Sequence, residues 1–286
     1  MIKEETYLLT NGVRIPKLGL GTWMIPDEVV ASSVKEAIKL GYKMIDTAQA
    51  YENERGVGEG IRTCGVDRKE LFVGSKVRAE FKDYDSAKKS IDDTLQLMGL
   101  DYLDQIIIHS PEPWNEFRGN NSYCKENIEV WRALEDAYNE GKVRVIGVSN
   151  FLIEDLKNII SHCRIKPMVN QILLHISNTN RDLIDFCKSN NIQVEAYSPI
   201  AHGEALKNKE IVNMANKYKV SPTQLCIRYA IQVGAVALPK TSNPIHMESN
   251  KNVDFVIAND DMDKLMNMER IKNYGEFSFF PVFSGK

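Results

Sequence analysis

The sequence predicts an α/β fold of the closed parallel kind: a (β/α)8 TIM barrel with an N-terminal β-hairpin and long loops at the C-terminal face. Three observations carry this. Eight short apolar runs recur along the 286 residues, each followed by a longer stretch with apolar residues three and four apart. No Pro/Gly/Ser-rich linker separates any two of these units, so residues 1–286 read as a single barrel domain. Runs such as QIIIH and VRVIGVS are almost continuously apolar, which suits strands covered by helices and not strands with one wet face.

In chain order, YLLTNGVRIP places Asn-Gly between two apolar runs, the strongest short-range signal for a hairpin. The eight strand candidates follow: KLGLGT, YKMID, LFVGSK, YLDQIIIH, VRVIGVS, PMVNQIL, IQVEAYS and AVALPK. Helical periodicity is clearest in EVVASSVKEAIKLG, SAKKSIDDTLQLMG, NIEVWRALEDAYNEG and RDLIDFCKSNN, whose ends carry the Gly or Asn that closes a helix. Two segments exceed ordinary loop lengths, SPEPWNEFRGNNSYCKE after the fourth run and the tail NYGEFSFFPVFSGK, and long loops on a barrel shape pockets.

Composition excludes several function classes. The net charge of −3 arises from interspersed acids and bases, so no basic face for nucleic acid or acidic lipid is expected. Five scattered cysteines contain neither a C-x-x-C pair nor any other metal-ligand spacing, which points to a reducing compartment and no metal site. The acidic start and the lack of a long apolar stretch set the expectation of a soluble, cytoplasmic protein without membrane contact. No interface stripe is visible, so a monomer is the default.

A barrel concentrates its chemistry where the strands end. The polar residues there are Asp46, Lys76, His109, Ser149, Asn150, Gln171, Tyr197 and Lys240, with Tyr51 just past the second strand. A phenol is a poor acid near neutrality, and a nearby ammonium stabilises its phenolate. Lys76 supplies such a charge, Asp46 keeps a buried ammonium paired, and His109 orients a substrate at the reacting oxygen. Taken singly, each residue has a plainer reading: Asp46 a helix N-cap, Tyr51 packing, His109 a core histidine, Lys76 a snorkelling side chain. Only the joint pattern points to an acid.

The segments LGLGTW, DTAQAYENE, GSK, IIIHSP, GKVRVIGVSNF, VNQ, EAYSP and LPKTSNP, in this order and spacing, resemble the aldo-keto reductases over most of the chain. The resemblance implies NAD(P)H-dependent reduction of an aldehyde or ketone to an alcohol, with Asp46, Tyr51, Lys76 and His109 as the catalytic four. It further implies that Ser149, Asn150 and Gln171 hold the nicotinamide carboxamide, that Tyr197 stacks on the ring, and that Gly21 and Thr22 border the cofactor. Asp46 counts among the cofactor contacts too. Trp23 and Trp114 join Tyr51 and His109 around the substrate. The phosphates are expected near Ser198 and the adenosine end near Lys240, Thr241, Ser242, His246 and Asn250. The glycine-rich GVGEG at 56–60 is not a phosphate loop by spacing and reads instead as close helix packing.

Several positions depart from the family pattern. His246 stands where an arginine is usual and Ser249 where a glutamate is common. NADP(H) is favoured because Lys240 remains, while NAD(H) stays open. Ser110 follows His109 in place of a bulkier residue, leaving Trp114 or Phe117 to build that wall. Leu173 and Ile176 replace a glutamate and a proline and are expected to loosen support around the nicotinamide site. Phe277, Phe279, Phe280 and Phe283 either close over the pocket or pack beneath it. Two other function classes remain: a nucleotide-binding barrel with a redox-sensing or structural role, and a Schiff-base aldolase using Lys76.

Overall fold

The computed structural model describes residues 1–284. Strands β1 (Thr6–Leu8) and β2 (Arg14–Pro16) form the expected antiparallel hairpin. Its turn is closed by Gly12 N–H donating to Leu9 O, with Gly12 at φ +85°. That left-handed geometry is what Asn-Gly signalled.

Eight parallel strands follow in sequence order: β3 (Leu20–Gly21), β4 (Met44–Asp46), β5 (Phe72–Val77), β6 (Leu103–Ile108), β7 (Val143–Ser149), β8 (Val169–Leu173), β9 (Gln193–Tyr197) and β10 (Val236–Leu238). Each of the eight apolar runs became one strand. The last meets the first through parallel bridges Leu18↔Ala237 and Gly21↔Lys240, with Gly19 N–H donating to Ala237 O at 2.9 Å. These bonds close the sheet into a barrel, and β5 and β6 are buried at every position because helices cover them.

Helices α1 (Asp27–Lys39), α2 (Glu54–Thr63), α3 (Tyr84–Met98), α4 (Cys124–Asn139), α5 (Ile153–His162) and α6 (Arg181–Ser189) each follow one strand. The link from β9 to β10 holds three helices where the sequence suggested one: α7 (Glu204–Lys207), α8 (Lys209–Lys217) and α9 (Pro222–Gln232). After β10 come α10 (Pro244–Asn250) and α11 (Asn259–Met266). Gly99 at φ +62° and Gly141 at φ +74° end α3 and α4 as the sequence signalled.

The GVGEG segment lies within α2. A Cβ on Gly56 or Gly60 would strike α1 at Asp27, Val30 and Val34, and one on Gly58 would strike the Met98 backbone. Those glycines let three helices approach closely, as the sequence reading held. The long loop after β6 and the tail, with 3₁₀ turns at Gly275–Phe279 and Pro281–Phe283, both return to the C-terminal mouth of the barrel.

Candidate active site

The segment DTAQAYENE is a folded device. Asp46 ends β4, and the chain makes a 3₁₀ turn over Gln49–Tyr51 before α2 begins at Glu54. Asp46 is therefore no helix cap. Lys76 on β5 is sealed from solvent, and its Nζ donates to Asp46 Oδ2 at 2.7 Å, Thr47 O at 2.7 Å and Tyr51 OH at 3.3 Å. Lys76 does not snorkel, because three oxygens satisfy its ammonium inside the barrel. With every hydrogen used and the charge held, it is also a poor Schiff-base nucleophile.

The other residues of the segment brace this arrangement. Thr47 Oγ1 donates to Asn53 Oδ1 at 2.7 Å, and Asn53 Nδ2 donates to Thr22 O and Ile25 O at 2.9 Å each. Gln49 Oε1 accepts from Arg78 N–H, and Glu54 Oε1 accepts from Ser75 Oγ. The 3₁₀ turn is thus fixed on both sides of Tyr51. The His109 ring stands edge-on to Tyr51 at 5.6 Å between centroids.

Electrostatics correct one expectation. Burial alone disfavours the Lys76 ammonium, but Asp46 and the Tyr51 oxygen outweigh it, and its pKa lies above the ordinary lysine value. The Tyr51 hydroxyl was expected to become more acidic. Burial is instead the largest influence and pushes it up, Lys76 opposes that, and the net result lies above the ordinary phenol value. Tyr51 holds its proton at neutral pH. Burial, then the charges of Lys76 and Arg78, hold His109 well below the usual histidine range, so its ring is neutral there. Among the described residues its Nδ1 is buried without a partner.

One wall of the adjoining cavity carries amides and an aromatic ring. Gln171 Nε2 donates to Asp46 Oδ1 at 3.0 Å and to Glu195 Oε2 at 2.7 Å, and among the described residues no donor reaches its Oε1. Ser149 Oγ donates to Gln171 O at 2.8 Å, and Asn150 Nδ2 donates to His109 O at 3.0 Å. Asn150 sits at φ +62°, a region Asn tolerates better than most residues. Tyr197 OH donates to Asn150 Oδ1 at 2.7 Å, which holds that ring against the cavity.

The cavity measures about 390 Å³ and is bordered by Gly21, Thr22, Trp23, Asp46, Tyr51, His109, Trp114, Ser149, Asn150, Gln171, Tyr197, Ser198 and Lys240. The structure thus gathers all of these sequence-derived residues at one mouth, with Lys76 directly behind Asp46 and Tyr51. Trp114 fills the wall that Ser110 leaves open, edge-on to His109 at 5.1 Å, while Phe117 backs it from a buried position. Of the tail, Phe277, Phe280 and Phe283 line the cavity, and Phe279 points away at 80 % exposure.

Thr241, Ser242, His246 and Asn250 do not border the cavity. They lie beyond Lys240, on α10 and the turn before it. Ser242 and His246 are exposed, whereas Asn250 is buried. Leu173 is half-buried at the end of β8 and Ile176 is buried, and between them His175 Nε2 pairs with Tyr274 OH at 3.0 Å, tying the tail to the loop after the strand.

Sequence reasoning missed four residues. Glu195 and Gln105 sit inside the barrel, and period-two phasing with Tyr197 and His109 would have found them. His202 stacks on Phe277 at 4.3 Å and accepts the tail, and Arg118 donates to Asn150 O at 2.6 Å. Neither of those carries a local signal, because both act through loops that meet only in the folded chain.

A model of the Aldo/keto reductase family matches residues 17–270. The chain is 39 % identical over 274 residues to the glyoxal reductase of Bacillus subtilis strain 168, covering 95 % of each chain. It is 33 % identical to methylglyoxal reductase DkgA of Escherichia coli K12, over 96 % of this chain and 97 % of that one. The crystal structure of a Bombyx mori aldo-keto reductase in complex with NADP superposes with a TM-score of 0.85 at 29 % identity, covering 98 % of each chain. The family match spans the barrel strands and stops short of the tail that completes the mouth, and the chain belongs to the aldo/keto reductase family.

Proposed function

We propose that this chain, acting as one barrel domain in the cytoplasm, uses NADPH to reduce small aldehydes. The α-oxo aldehydes for which its relatives from Bacillus subtilis and Escherichia coli are named belong to that class. The observation that carries this reading is Lys76 Nζ joining Asp46 to the Tyr51 hydroxyl at the cavity floor, beside a neutral His109.

In this reading Tyr51 is the acid. Its raised pKa keeps the proton in place until negative charge develops on the substrate oxygen. Lys76 then stabilises the phenolate left behind, and Asp46 keeps Lys76 charged. His109 positions the carbonyl oxygen by a single hydrogen bond, because a neutral ring adds no competing charge.

The residues present fit a nicotinamide cofactor. Gln171 offers a free carbonyl oxygen to an amide N–H, Ser149 and Asn150 offer polar atoms beside it, and Tyr197 supplies a flat face. Bound there, the reduced cofactor supplies the hydride. Ser198 would meet its phosphates, and Lys240, Thr241, Ser242, His246 and Asn250 would meet the adenosine end. NADPH is favoured over NADH through Lys240, although His246 provides a weaker phosphate contact than arginine would. Trp23, Trp114 and Phe280 give the substrate side an apolar wall.

The test is consumption of NADPH with glyoxal, methylglyoxal and larger aldehydes by wild type and Tyr51→Phe. The reading requires turnover that Tyr51→Phe nearly abolishes; equal rates would reject Tyr51 as the acid.

A further inference from the structure

Beneath the wall of amides lies a carboxyl group that the mechanism above leaves idle. Glu195 has no solvent exposure and pairs in register with Gln171 on β8 and Val236 on β10. It lies two residues before Tyr197, so its side chain enters the barrel on the same face. The charged and polar groups that face it are few. Gln171 from β8 and Gln105 from β6 bond to it, Asp46 from β4 is joined to it through Gln171, and Lys76 from β5 stands on the far side of Asp46. Among the described residues no cation bonds to Glu195.

Its hydrogen bonds do not suit a carboxylate. Gln171 Nε2 at 2.7 Å and Gln105 Nε2 at 3.2 Å both donate to Oε2. Oε1 is sealed from solvent without a donor, and so is Oε1 of Gln105. Two orphaned oxygens on two side chains already joined by one hydrogen bond have a simple chemical reading. A carboxylic acid and a primary amide pair as a ring, with amide N–H to acid carbonyl and acid O–H to amide carbonyl. One proton on Glu195 Oε1 supplies the missing donor to Gln105. Left as a carboxylate, the pair keeps two unsatisfied buried acceptors and places a second negative charge near Asp46.

We propose that Glu195 is a positioning residue for the cofactor amide: held as the neutral acid and ring-paired with Gln105, it accepts one Gln171 hydrogen while Asp46 accepts the other. The Gln171 amide is thereby locked with its carbonyl oxygen toward the cavity. Flipped, the amide would oppose its own oxygen to those of Asp46 and Glu195 and show N–H groups to a ligand that also donates. The inference rests on the reading that Gln171 receives the nicotinamide carboxamide.

A consequence follows for pH. Burial, and then the Asp46 charge, push the Glu195 carboxyl up to about 7. Above that the ring with Gln105 opens and a negative charge appears beneath the nicotinamide wall. Negative charge there favours the cationic oxidised cofactor over the neutral reduced one.

Two measurements test this. The first is an infrared titration of the ligand-free protein, comparing wild type with Glu195→Gln. A protonated-carboxyl band at pH 6 that disappears with a midpoint near 7, and is missing in the variant, is expected. No such band in wild type, or the same band in the variant, overturns the inference. The second is the dissociation constant of NADPH and of NADP⁺ from pH 6 to 8.5 for wild type, Glu195→Gln and Glu195→Leu. Their ratio cancels titration of the 2′-phosphate, which both carry. Glu195→Leu is expected to weaken NADPH by about 10-fold, the size of one lost orienting hydrogen bond. Glu195→Gln closes the same ring with an amide and restores most of that affinity.

In wild type the NADP⁺ preference rises by about 5- to 30-fold across the range, and in Glu195→Gln it stays flat. A Glu195→Gln protein as weak as Glu195→Leu, or one with the wild-type pH dependence, overturns the proposal. Should Glu195→Leu fail to fold, the infrared band and the glutamine variant decide alone. Wild type that shows the band yet binds neither cofactor overturns the nicotinamide reading together with the positioning role, whereas a missing band overturns the role and leaves that reading intact.

Discussion

The floor of the cavity and helix α10 carry the two ends of the proposed cofactor site, and they are built in opposite ways. At the floor, Lys76 is sealed and Asp46 is 4 % exposed, and each polar atom between them is spoken for. At α10, Ser242 and His246 stand in solvent, and Lys240 is exposed with only partial burial lowering its pKa. Burial makes the floor pre-organised and intolerant: removing one partner leaves a charge with nowhere to go. Exposure makes the clamp adaptable, because water serves any group whose partner is missing.

Breaking the floor is expected to give the largest effects. Tyr51→Phe should lower aldehyde reduction by about 10²- to 10⁴-fold, with NADPH affinity little changed, measured by initial rates and by cofactor fluorescence titration. A comparable loss of affinity would mean that Tyr51 serves binding and not proton donation.

Lys76→Met leaves Asp46 buried and unpaired. It should cost about 3–5 kcal/mol in denaturant unfolding, and the double variant with Asp46→Asn should recover part of it. Full additivity of the two single losses would show that the pair is not coupled.

Glu195 sharpens the comparison through pH. The folded protein holds a proton on it up to about 7, whereas an unfolded chain releases it near the ordinary carboxylate value of 4.5. The stability that Glu195 contributes is therefore fully present below that lower value and is lost as pH rises toward 7, by on the order of 3 kcal/mol for this group. Thermal unfolding of Glu195→Gln across this window should lack that slope. A slope equal to wild type would assign it to other groups.

At the clamp, His246→Arg should raise the preference for NADPH over NADH by about 10-fold through one charge-assisted contact. Its unfolding midpoint should stay where it was, because the position is exposed. The smallest effect belongs to Phe279→Ala, within about 0.5 kcal/mol of wild type and without change in KM, since this ring alone of the four tail phenylalanines points into solvent.

Much of this was readable from single residues and their spacing. All eight apolar runs are strands, the Asn-Gly turn is a hairpin, and the GVGEG glycines pack α2 against its neighbours. Asp46, Lys76 and His109 could be collected because a barrel strand delivers its last residues to one face. Other features were beyond such reading. The three helices between β9 and β10 are parted by caps, Asn208 before α8 and Ser221 with Pro222 and Gln224 before α9, and a reading by apolar period alone passes over such starts. The fate of each tail phenylalanine depends on His202 and Tyr274, which lie far away along the chain.

The direction of the Tyr51 shift shows where local inference stops. That an ammonium would sit near the phenol followed from residue type and register. Whether its charge outweighs burial depends on how much protein surrounds the ring, a quantity no short segment contains.

The sequence by itself determined the alternation of strand and helix, and with it which side chains reach the mouth, because hydrophobic period and strand register are properties of neighbouring residues. The tertiary structure alone decided the protonation of Tyr51, His109 and Glu195, and the joining of Glu195, Gln105, Gln171 and Asp46 into one network. Dielectric surroundings and contacts between distant strands exist only once the barrel has closed.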